Sequence, residues 1–201
     1  MDYSMLRVRA TYLCGAVMGV VVLINNGFFD HEGPLMPAAT ITQPAVAAVN
    51  GNEAISKFEL EISWDRAKRI QSGQDDRLFG EWCLGDQGGD PTPCAAARDY
   101  ANFSLLFVAL GVVVATLNYT AAAHNMFHIA GVLLIFTWQQ ARMMGGSYVD
   151  RRLTNGEMED HYTLVIIVAT TMGLTLAARV YALMMGGPEK QGADYSKVGF
   201  N

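Results

Sequence analysis

Charge is absent from long stretches of this chain. No Asp, Glu, Lys or Arg occurs between Ala10 and Phe29, and none occurs in the 42 residues from Tyr100 to Ala141. A water-soluble fold rarely sustains such runs, whereas a bilayer core of about 30 Å requires roughly 20 predominantly apolar residues for each helix that crosses it. Cysteine is scarce as well, with three in 201 residues, and no C-x-x-C pair or Cys/His zinc spacing is present. That scarcity excludes a disulfide-framework fold, a zinc ribbon and a thioredoxin-like relay. The net charge of −5 is small and mixed in sign. It lacks the basic stripe that a nucleic-acid partner requires.

What is present reads as an all-α integral membrane protein with four transmembrane helices. The spans fall at about 10–29, 101–117, 122–140 and 162–185, with an extramembrane loop over 30–100 and a polar tail over 186–201. The first span keeps its place because Asn25, Asn26, Gly27 and Phe28 offer no signal-peptidase site after the Val-rich centre. The run from Tyr100 to Ala141 is too long for one crossing and breaks at Asn118-Tyr119-Thr120. Between the third and fourth spans, Arg142 to His161 reads as a short solvated connector carrying Gly145-Gly146 and several charges. Arg179, near the end of the fourth span, is expected to snorkel to the headgroups.

The long loop gives mixed signals. Pro34, Pro37 and Pro44 punctuate an extended stretch, and residues 53–71 support two readings. Phe58, Leu60, Ile62 and Trp64 alternate with Glu59, Glu61, Ser63 and Asp65 as in a half-buried strand. The abundance of Glu, Lys, Arg and Ala, with Ser56 and Glu59 placed for a capping box, favours a helix instead. Cys83 and Cys94 lie in the same loop with glycines and prolines between them. A disulfide there would contribute on the order of 3 kcal/mol by loop closure, and two free thiols are the alternative.

Few residues invite chemistry. His124 and His128, four apart in the third span, have a spacing that suits a metal, but His161 falls on the opposite side of the bilayer and no bis-histidine pair forms at one depth. The plainer reading is that they hydrogen-bond neighbours or headgroups, and no cofactor or metal is assigned. No charge lies near a span centre, which argues against an ion-coupled pump. Gly15 and Gly19 form a G-x-x-x-G pair that lets a second helix approach closely. The pattern does not say whether that helix belongs to this chain or to a neighbour.

The order of features resembles the claudin and peripheral-myelin-protein-22 superfamily. The resemblance rests on four spans, a long first loop with a tryptophan-bearing alternating segment, Gly80-Glu81-Trp82-Cys83, a second Cys94, and Arg98 before span two. It departs from that family's G-L-W-x-x-C pattern, because Trp82 adjoins Cys83, Glu81 replaces Leu, and the loop is longer. The resemblance implies a small loop sheet, a Cys83 to Cys94 bridge and a junctional, adhesive or channel-regulating role.

The residues alone lead to a non-enzymatic accessory subunit of a larger membrane complex, such as a respiratory or other energy-converting assembly. Its partners are the lipid bilayer and other membrane protein subunits, with no nucleic acid. An organellar inner membrane of mitochondrial type is expected, with the plasma membrane as the alternative. Arg7, Arg9, Arg179, Lys190 and Lys197 favour termini on the reducing side and Arg142, Arg151 and Arg152 the opposite orientation; the loop cysteines tip the reading to reducing-side termini. A claudin-like protein is the second reading, and a small channel or cofactor-binding subunit the third.

Overall fold

In a computed structural model, residues 3–28, 35–45, 57–64, 66–69, 77–78, 91–153 and 155–186 are described. The chain runs through α1 (Tyr3–Asn25), β1 (Ala39–Gln43), β2 (Phe58–Ile62), β3 (Arg66–Arg69), β4 (Arg77–Leu78), α2 (Pro91–Thr116), α3 (Thr120–Arg152), β5 (Glu157–Asp160) and α4 (Thr163–Gly186). All four helices are long and apolar enough to cross a membrane. The protein is built as a multi-pass membrane protein, and the break between α2 and α3 falls at the expected tripeptide. Asn118 turns the chain there at φ 64°, a left-handed conformation that asparagine tolerates better than most residues.

Aromatic residues mark the depth of the bilayer. Tyr119 and Trp138 bracket the membrane part of α3, and Tyr162 and Tyr181 bracket that of α4, each pair nineteen residues apart. At 1.5 Å per residue this is about 28 Å, the thickness of a hydrocarbon core, and Tyr and Trp favour its two boundaries. Between them Cys14, Met18, Val22, Phe127, Ala130, Leu134, Leu164 and Val168 form the buried core of the bundle. Leu110, Val113, Ile166 and Leu174 face outward, which is the side-chain distribution hydrocarbon permits.

The expectation of an all-α fold is corrected by a five-stranded antiparallel sheet of order β4-β3-β2-β1-β5. Residues 58–62 are a strand, so the period-two alternation overrides helix propensity. Leu60 and Ile62 lie opposite Ile41 and Ala39 of β1, and all four are buried. Burial of one strand face on a neighbour supplies stability that an isolated, poorly amphipathic helix would lack.

The connector is corrected too. Arg142 to Arg152 continue α3, which reaches 33 residues, and Glu157–Asp160 become the edge strand paired with β1. At 1.5 Å per residue α3 is about 50 Å long, so some 20 Å of it stands beyond Trp138 outside the hydrocarbon. This extension carries the sheet. Ala39, Ile41, Leu60 and Ile62 pack on Ala97 of α2 and on Ala141 and Met144 of α3, with Tyr148, Val149, Leu153 and Met158 around them. Gly145, expected in a loop, is instead the point of closest approach. A Cβ at this position would collide with Ile62 Cδ1 and come within 3.1 Å of Met158 Sδ.

Hydrogen bonds fix the sheet at the membrane surface. Trp64 donates its indole N–H to the Asn25 carbonyl at the end of α1, and Trp138 donates to the His161 carbonyl at 2.8 Å. The His161 amide in turn donates to the Ala38 carbonyl at 2.9 Å, and Ala38 to Ile62 at 2.7 Å. The first loop is thereby tied to the end of α1 and the second to α3. Replacing Gly145 with Val should overpack this contact and destabilise the sheet by about 1–3 kcal/mol. Limited proteolysis of detergent-solubilised protein should then cut between residues 35 and 78 faster while helical circular dichroism is unchanged; unchanged cleavage would show that the sheet does not rest on this point.

Candidate functional site

The two faces of the sheet have opposite chemistry. Because side chains alternate along a strand, the register that buries Ala39, Ile41, Leu60 and Ile62 turns Thr40, Thr42, Glu59, Glu61, Glu157 and Glu159 to the other side. Two rows result, Glu59–Thr42–Glu157 and Glu61–Thr40–Glu159. Neutral threonines of β1 separate the acidic strands β2 and β5, so that no two carboxylates are directly paired. Like charges directly opposite would be destabilising, and two strand spacings put the carboxylate columns about 9.6 Å apart, near the screening length in physiological salt.

Neighbours temper the acidity at the borders of this face. Lys57 pairs with Glu59 at 3.0 Å on the surface, and Lys68 stands opposite Glu61 in the β2–β3 register. On the packed side of the sheet, where Asp160 stands opposite Ala39, Arg142 Nε donates to Asp160 Oδ2 at 2.6 Å, and the Tyr162 hydroxyl donates to the same oxygen at 3.2 Å. Thr40 Oγ1 and His161 Nε2 lie 2.7 Å apart. Glu157 and Glu159 on the edge strand remain exposed, so the acidic rows of β2 and β5 face away from the helices.

The expected site residues are dispersed. Gly15 packs inside the chain: a Cβ there would lie 2.6 Å from the Phe127 ring, and the same ring closes against Gly111 of α2. Phe127 is therefore held between two glycines of neighbouring helices, and this part of the small-residue patch is filled from within. Gly19 has ordinary contact with Val108, at 3.9 Å from a Cβ. Cys14 is buried and free. Cys94 opens the membrane part of α2 and is not a free thiol, while Cys83, Trp82, His31 and the tail beyond Gly186 lie outside the described residues. The span threonines mostly bond within their own helices, as Thr137 does to Leu133 and Thr175 to Thr171.

The histidines lie at a helix interface, where one of them bonds a neighbour, and one arginine departs from expectation. His124 and His128 stack edge to face with centroids 4.2 Å apart, and His128 Nε2 is 3.2 Å from the Met172 carbonyl. Both sit between helices rather than at headgroups. Among the described residues no group of three or more His, Cys, Asp or Glu is placed to hold a metal. Arg179 does not snorkel: it is buried, and its Nη1 donates to Thr11 Oγ1 at 2.9 Å and to the Thr120 carbonyl at 3.2 Å. Only its position one turn from the last apolar residues distinguished it in the sequence, and that position does not say which way the side chain runs.

No protein-family model matches the chain, and no curated protein matches it.

The glycine contacts have a measurable consequence. Gly15→Leu and Gly111→Leu should each destabilise the bundle by at least about 1–3 kcal/mol through overpacking against a rigid ring, and Phe127→Ala by about 3–5 kcal/mol through the cavity it leaves. Gly19→Ala should stay within about 0.5 kcal/mol. Unfolding in mild detergent, followed by Trp fluorescence, separates these; equal effects at Gly15 and Gly19 would mean that the ring does not set the approach.

Proposed function

We propose that the protein is a non-enzymatic four-span membrane protein of claudin-like kind, which acts by presenting its acidic sheet to basic surfaces of neighbouring membrane proteins. The observation that supports this reading most is the sheet itself. Strands from the first loop are completed by a strand from the second, and the whole is seated on a helix that projects from the bilayer. Such a rigid seat suits a surface whose work is recognition. Carboxylates facing a complementary charge steer and align partners more than they add raw affinity.

The proposal includes the Cys83 to Cys94 bridge, which would staple the chain after β4 to the start of α2. It also places the sheet on the oxidising side and the termini on the reducing side, in agreement with the basic residues at the helix ends. The plasma membrane suits this arrangement. An accessory subunit of a larger membrane complex is the second reading, favoured by the broad apolar faces of α2 and α4 that are exposed in the isolated chain.

Two experiments decide between them. With the full chain expressed in cells, a membrane-impermeant label should reach an epitope placed at Asn155, and non-reducing peptide mapping should recover Cys83 joined to Cys94. Labelling only after permeabilisation, together with migration in one defined complex on a native gel, would replace this proposal by the accessory-subunit reading. Changing Glu59, Glu61, Glu157 and Glu159 together to Gln should leave folding intact and abolish the salt-sensitive part of partner capture. Undiminished capture by that variant would move the recognition surface elsewhere.

A further inference from the structure

The sheet ends at β5, and the outer edge of that strand is open. In the antiparallel β1–β5 ladder the His161 amide donates to the Ala38 carbonyl at 2.9 Å, which makes 38 and 161 a hydrogen-bonded pair. Such pairs alternate with pairs that are not hydrogen-bonded. In the register Thr40↔Glu159 and Thr42↔Glu157, the amides and carbonyls of Glu157 and Glu159 therefore turn inward to β1, and those of Met158 and Asp160 turn outward. β5 is the last strand of the order β4-β3-β2-β1-β5, and among the described residues no backbone group pairs with this outer row.

The open row begins at the membrane surface. Asp160 is two residues from Tyr162, which marks the boundary of the hydrocarbon, and the four residues of β5 span about 13 Å at 3.3 Å per residue. The strand is held from behind: Met158 packs against the projecting part of α3, and the Arg142 and Tyr162 side chains hold Asp160. Its outer groups are thus kept in extended geometry before any partner arrives, which lowers the ordering cost of pairing. An unpaired row of this kind is a template for another strand.

Charge selects the occupant. Three of the four residues of β5 are acidic, and Glu157 and Glu159 are exposed on the face away from the helices. A second copy of β5 paired antiparallel through Met158 would bring Glu159 against Glu159 or Glu157, and like charges directly opposite are destabilising. The strand therefore repels its own kind. Lysine or arginine at alternate positions of an incoming strand would meet Glu157 and Glu159, and the residues between them would lie on the side of Met158.

We propose that the outer edge of β5 receives one extended strand from a neighbouring membrane protein, a segment beside one of that protein's spans with Lys or Arg at alternate positions. This pairing rests on the acidic-face reading above and extends it, because the backbone of Met158 and Asp160 fixes the register of the partner. Main-chain hydrogen bonds supply the part of the affinity that salt does not screen. The two glutamates supply the choice of partner.

The test uses the full chain in nanodiscs with a single-span probe helix, binding being followed by energy transfer. On the sheet side of the bilayer the probe carries the segment Lys-Val-Lys-Val-Lys next to its span; a second probe carries Lys-Pro-Lys-Pro-Lys, with the same charge but without the amides that would pair with β5. The first probe should bind roughly tenfold more tightly, the effect of about two lost backbone hydrogen bonds. Replacing Met158 by its α-hydroxy analogue removes one outward N–H and keeps the side chain. That change should weaken the valine probe roughly three- to tenfold and leave the proline probe unaffected. Glu157→Gln with Glu159→Gln should weaken both probes at low salt. Equal binding of the two probes, with no effect of the hydroxy analogue, would overturn the edge pairing and leave the acidic-face reading standing. Glutamate changes that weaken neither probe would overturn that reading, and the basic partner with it. Energy transfer between two copies of the protein that the hydroxy analogue removes would assign the edge to self-pairing and overturn the proposal.

Discussion

A single mismatch of length organises this protein: α3 is far longer than the bilayer is thick. Backbone amides and carbonyls must be satisfied internally within hydrocarbon, so α3 crosses as an unbroken helix, and its excess emerges as a ready-made support. Among the described residues, the sheet outside the lipid is arranged around that excess. The apolar side of the sheet lies on it, the tryptophan hydrogen bonds tie the first loop to the end of α1 and the second to α3 itself, and the polar side is thereby held outward. Without the support, a sheet of strands only two to five residues long would have little core of its own.

The same constraint governs the buried polar groups at the opposite end. Arg179, Thr11 and Thr120 satisfy one another across three helices, which costs less than placing a guanidinium in lipid unaided. His124 is the exception, with both ring nitrogens buried and without a hydrogen-bond partner.

How much of this the sequence reveals depends on whether the relevant signal is local. The absence of charge between Tyr100 and Ala141 is local, so the crossings were legible, as was the turn at Asn118. The strand at 58–62 was half legible: its alternation was plain, but the choice between strand and helix depended on Ile41 and Ala39, some twenty residues away. Residues 157–160, Glu-Met-Glu-Asp, contain one apolar side chain and carry no recognisable strand pattern; only pairing with β1 makes them one. Gly145 and Gly146 looked like loop residues because glycine weakens helices, while the need for close approach to Ile62 exists only in three dimensions. Arg179 was misjudged for the same reason, since its partners Thr11 and Thr120 are 168 and 59 residues distant.

The place of β5 bears on how the protein is made. The strand β1 leaves the ribosome early, yet its second neighbour is encoded more than a hundred residues later, beyond two further crossings. During synthesis, one edge of β1 must wait uncovered until the third span has been threaded through the membrane and the next loop delivered to the same side. Such late closure of a distant pairing is slow and makes the finished sheet a readout of correct topology: a nascent chain with a misinserted span has no β5 on the proper side, and its bare strand edge is a handle for quality-control factors to grasp.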